Sequence, residues 1–167
     1  MATVQGKQLI YLYRLLSEKN TVAGTRIAYT TENTKSTERD IETTATKDGS
    51  VGTPGSVEIT IDATSILATD DTMIAKLEQA LINGNIVEVW EADLTKAGQT
   101  ANTYVGTYYQ AYINSLEKSS PADGFVEISL SFTVNGTGAT GNVTVPQSQL
   151  DEALYVFTDT TIAIGDH

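Results

Sequence analysis

The stretch from Ser56 to Leu94 constrains this chain most, because its apolar spacing changes period twice. In Ser56 to Leu67, Val57, Ile59, Ile61 and Ala63 alternate with Glu58, Thr60, Asp62 and Thr64, the two-residue repeat of a half-buried strand. Ile74, Leu77 and Leu81 then fall at i, i+3 and i+7, which predicts a short amphipathic helix over about residues 71–83. Thr69, Asp70 and Asp71 offer side-chain oxygens to its first unpaired N–H groups, and Gly84 suits its left-handed close. Burying each large aliphatic side chain stabilises by roughly 1.5–3 kcal/mol, more than a cap supplies, so the helix is expected to pack on a sheet. Ile86 to Trp90 (IVEVW) resumes strand composition.

The rest of the chain reads as strands and turns. Gly6 to Leu16 (GKQLIYLYRLL) is apolar on both faces, and Tyr11 and Tyr13 favour a strand over a helix start. Arg26 to Thr30 is expected to form a second strand, with Ser17 to Thr25 a loop between them. Tyr104 to Leu116 reads as a long strand with Tyr104, Tyr108 and Tyr112 on one face. That stripe is better explained by packing than by base stacking, which would need basic residues beside it. Ser119 to Gly124 reads as a turn. From Phe125 to Val134 the residues Val126, Ile128, Leu130, Phe132 and Val134 alternate with Glu127, Ser129, Ser131 and Thr133, an antiparallel strand over a core. Asn135 to Asn142 (NGTGATGN) reads as another turn, and Val143 to Val145 as a short strand. Leu150, Ala153, Leu154 and Phe157 are spaced for a helical turn or two within 147–157, ahead of a loosely held tail over 158–167.

Thr31 to Pro54 stands apart. It is rich in Thr, charge and Gly, with Ile41 and Val51 its only large aliphatic residues, and it is longer than an ordinary connection inside a compact domain. It reads as an extended loop, either mobile or ordered by a neighbouring subunit.

Composition removes most chemistry. There is no cysteine and one histidine, His167, at the last position, so thiolate catalysis, cysteine-ligated metals and histidine triads have no material. Glu88, Glu91 and Asp93 lie close in sequence, but odd spacing puts Glu88 and Glu91 on opposite faces of a strand, where a solvated strand end explains them better than a hydrolytic pair. Asp70 and Asp71 read as caps rather than metal ligands. No catalytic, cofactor-binding or metal-binding residue is expected, and no enzyme. At 167 residues, 40% of them hydrophobic, the chain suits one domain over 1–167 with a buried core. Arg14 interrupts the apolar run Leu9 to Leu16, so neither a signal peptide nor a membrane anchor is expected. The net charge of −11 is uneven: residues 1–34 carry +2, 35–100 carry −7 and 101–167 carry −6. Phosphate neutralisation needs clustered Lys and Arg, so the chain is not expected to hold nucleic acid, although a surface of this charge suits a wall that DNA passes.

Taken in order, GKQLIYLYRLL, RIAYTTEN, STERD, TATKDG, VEITIDATSI, IVEVWEADL, TYYQAYINSLEKS, VEISLSFTVNGTG and the late TDTT form a series that resembles the major tail tube proteins of long, non-contractile bacteriophage tails. The resemblance is weakest from Pro146 to Phe157. It implies a mainly β fold, an antiparallel β-sandwich or barrel-like tail-tube domain with one flanking helix and a long inter-subunit loop over residues 31–54. It further implies a structural virion protein whose copies join into rings, commonly hexameric, stacked as a tube for genome ejection. Tape-measure and tail-terminator proteins would be partners, DNA would pass without specific binding, and assembly would take place in the host cytoplasm. In the loop, Arg39, Asp40, Lys47 and Asp48 are the expected subunit-interface residues. The alternative is a surface or adhesin-type β-sandwich binding module, in which Thr-rich strands and Gly-rich turns would look much the same.

Overall fold

The computed structural model describes residues 2–146. Six strands, β1 (Leu9–Leu15), β2 (Thr30–Thr46), β3 (Gly49–Ile66), β4 (Ile86–Ala97), β5 (Thr103–Ser119) and β6 (Glu127–Thr144), form one antiparallel sheet, and α1 (Met73–Asn83) links β3 to β4. The sheet order is β1-β4-β5-β6-β3-β2, so its two ends are β1 and β2. Those ends face each other: the Tyr13 hydroxyl on β1 donates to Asn33 Oδ1 on β2 at 3.2 Å, and the Tyr13 ring stacks on Phe132 of β6 at 5.3 Å. The sheet therefore curls over its own inner face, as the expected barrel-like β fold requires.

Alternation explains the core. Ile59, Ile61 and Ala63 of β3, Val87 and Val89 of β4, and Ile128, Leu130 and Phe132 of β6 are all buried in one cluster. In α1, Ile74 and Leu77 join that cluster with Met73 and Ala80, while Leu81 packs at its margin. Asp71 Oδ1 accepts a hydrogen bond from the Met73 N–H at 2.9 Å, and Gly84 closes the helix at φ 71°. Asp71 is therefore the carboxylate of the Thr69 to Asp71 run that satisfies a helix N–H. A second cluster on the outer face gathers Ile10, Leu12, Ala92, Val143 and Val145 with Trp90. It explains why β1 is apolar on both sides although it lies at a sheet end.

Three expectations are corrected. Arg26 to Thr30 is not a strand: only a single bridge joins Tyr13 and Thr25, Tyr29 turns the chain at φ 53°, and β2 begins at Thr30. The segment has one buried side chain, Ile27, and no second apolar residue in register to hold a strand against the core. Thr31 to Pro54 is not a loop but most of a hairpin, β2 and β3 joined through Lys47 and Asp48. It lacks the alternation of a strand because it covers no core, and its threonines supply β-propensity without burial. Asn135 to Asn142 is not a turn but the continuation of β6 opposite β5. Its glycines serve a bulge: between the pairs Gln110/Asn135 and Tyr108/Ala139, β6 carries three residues against the single Tyr109. Gly138 there has φ 81°, and a Cβ on it would lie 2.6 Å from the Tyr109 ring. The expected helix within 147–157 and the tail over 158–167 lie outside the described residues.

Candidate subunit interface

β3 pairs with β6 only from Thr60 to Ile66. Beyond that point the hairpin leaves the sheet, and among the described residues Thr37–Thr46 and Gly49–Ile59 pair only with each other. At about 3.3 Å per residue this two-stranded arm extends about 33 Å. A bulge between Arg39 and Ile41 faces Pro54, whose missing N–H is tolerated because no third strand among the described residues lies beside the arm. At the tip, the Thr46 hydroxyl donates to the Gly49 carbonyl at 2.5 Å and accepts from the Asp48 N–H at 3.3 Å.

All four expected interface residues fall on this arm and all are exposed. The fold does not bring them together: Lys47 and Asp48 form the tip, and Arg39 and Asp40 lie at the bulge about 25 Å back along the ribbon. The described ion pairs, Arg14–Glu88, Lys35–Glu91 and Lys76–Glu18, involve none of them. Two aliphatic side chains on the arm also face solvent, Ile41 at 65% and Val51 at 54% exposure. An isolated ribbon with exposed aliphatics and unsatisfied edges is what native proteins avoid unless something covers it.

Two polar networks lie on the two faces of β4, and the first also ties in the body end of β2. Odd spacing does put Glu88 and Glu91 on opposite faces of β4, but neither sits at a solvated strand end. Glu91 accepts from Lys35 Nζ at 2.9 Å and from the Tyr11 hydroxyl, and Lys35 also reaches the Tyr109 hydroxyl at 3.2 Å. Burial opposes the Lys35 ammonium, yet its hydrogen bonds to Glu91 and Tyr109 outweigh that and raise its pKa. Burial and then Glu91 push the Tyr11 phenol up. On the other face Glu88, 4% exposed, accepts from Arg14 Nε at 2.8 Å and from the Tyr108 hydroxyl at 2.6 Å. Burial and then Glu88 push Tyr108 up as well. Arg14 lies 4.9 Å over the Trp90 ring and donates to the carbonyls of Lys19 and Val22, pinning the loop after β1. Tyr108 packs on Trp90 at 5.5 Å, so this tyrosine is engaged in packing rather than offered to bases. Sequence reading missed these networks; the signal was an arginine inside the apolar run of β1 and two glutamates inside the apolar run of β4.

A cleft of about 490 Å³ opens between the start of β1 and the start of β2, lined by Lys7, Leu9, Tyr11, Arg26, Thr31 and Glu32 among others. Among the described residues no group of three or more His, Asp or Glu side chains is placed to hold a metal ion, and no helix is long and apolar enough to cross a membrane.

Residues 3–139 match the family model for phage tail tube proteins. The chain belongs to that family. A protein of Staphylococcus phage phiMR25 assigned to the tail is 33% identical over 159 residues, covering 92% of this chain and 81% of that one. The tail tube protein gp17.1* of Bacillus phage SPP1 is 30% identical over 145 residues, covering 86% of this chain and 54% of that one. The solved SPP1 tail tube has the same fold, with a TM-score of 0.76 at 23% identity over 98% of this chain and 91% of that one. The tail of a gene transfer agent particle, solved with C6 symmetry, matches at 0.65 and 14% identity over 83% of this chain and 99% of that one. This tail tube protein thus has the mainly β fold and the structural family expected of it, a family that is not one of enzymes.

Proposed function

We propose that copies of this protein join into rings, six to a ring, that stack into the hollow tube of a phage tail, and that the genome leaves through it. The observation that carries the reading is the arm: a ribbon of ten residues on one side and eleven on the other, polar and threonine-rich, with Ile41 and Val51 bare, has no further strand partner among the described residues. Unlike surfaces meeting head to tail close into rings when the rotation closes and run on as filaments when it does not. The SPP1 neighbour is a tail tube, and the gene transfer agent tail has six-fold symmetry, which supports the ring number.

In this reading the arm lies against a neighbouring subunit, where Arg39, Asp40, Lys47 and Asp48 find charge partners. The acidic balance of −11 leaves the tube wall without the clustered cations that would hold phosphate, so DNA slides rather than binds. A tape-measure protein would set the length of such a tube and a terminator would close it, with assembly in the host cytoplasm and the finished protein in the virion tail. Limited proteolysis tests the arm's place. Cleavage within 37–58 should be fast in dispersed protein and slow in assembled tubes; equal rates in both would contradict the reading.

A further inference from the structure

The cleft and the arm lie at opposite ends of one strand. Thr30 to Asn33, at the start of β2, form one wall of the cleft, and the same strand ends sixteen residues later at the tip, about 50 Å away along an extended chain. The opposite wall is β1, on whose outer side no strand among the described residues pairs over Leu9 to Leu12; the bridge at Tyr13 to Thr25 comes only after it. The cleft is therefore the seam where the curled sheet fails to close, and it presents strand edges on both sides.

The charges of the two places are opposite. The cleft carries Lys7 and Arg26 against Glu32, within residues 1–34, the segment with a positive balance. The arm carries Glu38, Asp40, Glu42, Asp48 and Glu58 against Arg39 and Lys47. Tyr29, exposed at 69% and held at φ 53°, stands next to the cleft wall as an aromatic surface for an aliphatic side chain such as Ile41.

The geometry points to the seam between β1 and β2 as the receptor for the acidic arm of a second copy of this chain. Because plug and socket sit at the two ends of β2, one copy's arm enters the next copy's cleft while its own cleft stays open. The contact is heterologous and repeats without limit. Electrostatic complementarity fixes direction and speeds encounter. This rests on the tube reading above and names the surface that the arm occupies.

The chain contains no cysteine, so an introduced pair reports without background. The variant carrying Ser50→Cys near the tip and Thr31→Cys in the cleft wall, assembled and treated with a short bis-maleimide, should give a ladder of covalent multimers on a denaturing gel. Each single variant should give nothing beyond a dimer. A second variant, Lys7→Glu, should raise the protein concentration needed for assembly several-fold, with an unchanged melting temperature showing that the fold survives. Tubes that form normally from the double-cysteine variant but yield no ladder would overturn the socket assignment and leave the tube reading standing. Failure of the unmodified protein to assemble at all would overturn the tube reading, and the socket with it.

Discussion

Lys35 Nζ lies 2.9 Å from Glu91 Oε1, joining the body end of the arm strand β2 to β4 across the inside of the curled sheet. The pair does not stand alone. Glu91 also accepts from Tyr11, and Lys35 also donates to Tyr109, so four strand residues from β1, β2, β4 and β5 meet at one carboxylate and one ammonium. This network anchors the body end of β2 to the three other strands.

Removing its acceptor should be costly. Glu91→Ala leaves the Tyr11 hydroxyl and the Lys35 ammonium without their shared partner, and an unsatisfied, largely buried group costs about 1–3 kcal/mol. Urea unfolding should show a lower midpoint with unchanged slope.

The bulge glycine should resist substitution. Gly138→Ala places a Cβ against the Tyr109 ring and holds an L-residue in the left-handed region, at about 1–3 kcal/mol for the backbone alone. A melting temperature equal to that of the unmodified protein would show that β6 can straighten at no cost.

Leu77, fully buried under the helix, supplies the contact that seats α1 on the core. Leu77→Ala should destabilise by about 2–5 kcal/mol, read from chemical unfolding, whereas Ile82→Ala on the exposed side of α1 should change little.

The tyrosines set the alkaline limit. Tyr11, Tyr13 and Tyr108 have folded-state pKa values raised above the ordinary phenol value, each chiefly through burial, and Lys35 is raised in the same direction. For groups raised on folding, the linked stability is complete below the unfolded-state pKa and is lost as pH rises through the folded one. The urea midpoint should therefore hold through neutral pH with respect to these groups and fall above about pH 10. Tyr11→Phe, which removes one of the raised phenols, should make that fall shallower.

The body of the fold was legible in the sequence because its side chains alternate between core and solvent. Val57 to Ala63, Val126 to Val134 and the stripe Ile74, Leu77, Leu81 all reported their elements. The arm was not, since a ribbon with both faces in solvent has no apolar period to read and its threonines and glycines imitate a loop. NGTGATGN failed for a related reason: Gly136 and Gly138 mark a bulge within a strand, and glycine chemistry alone does not separate a bulge from a turn. The four expected interface residues all fall on one ribbon, whereas the cleft was invisible because it joins residues near 7, 26 and 31 that only the curl of the sheet brings together.

A variant in which residues 39–57 are replaced by a two-residue turn between the paired Glu38 and Glu58 should keep the body fold, since every core residue of β3 from Ile59 onward remains. It should sediment as a single species at concentrations where the unmodified protein does not.

Electron microscopy of the purified, unmodified protein at rising concentration tests the central claim most directly. Hollow tubes of uniform diameter, with rings repeating along the axis, are the predicted result. Dispersed single copies at every concentration, with or without a tape-measure and a terminator protein, would contradict it.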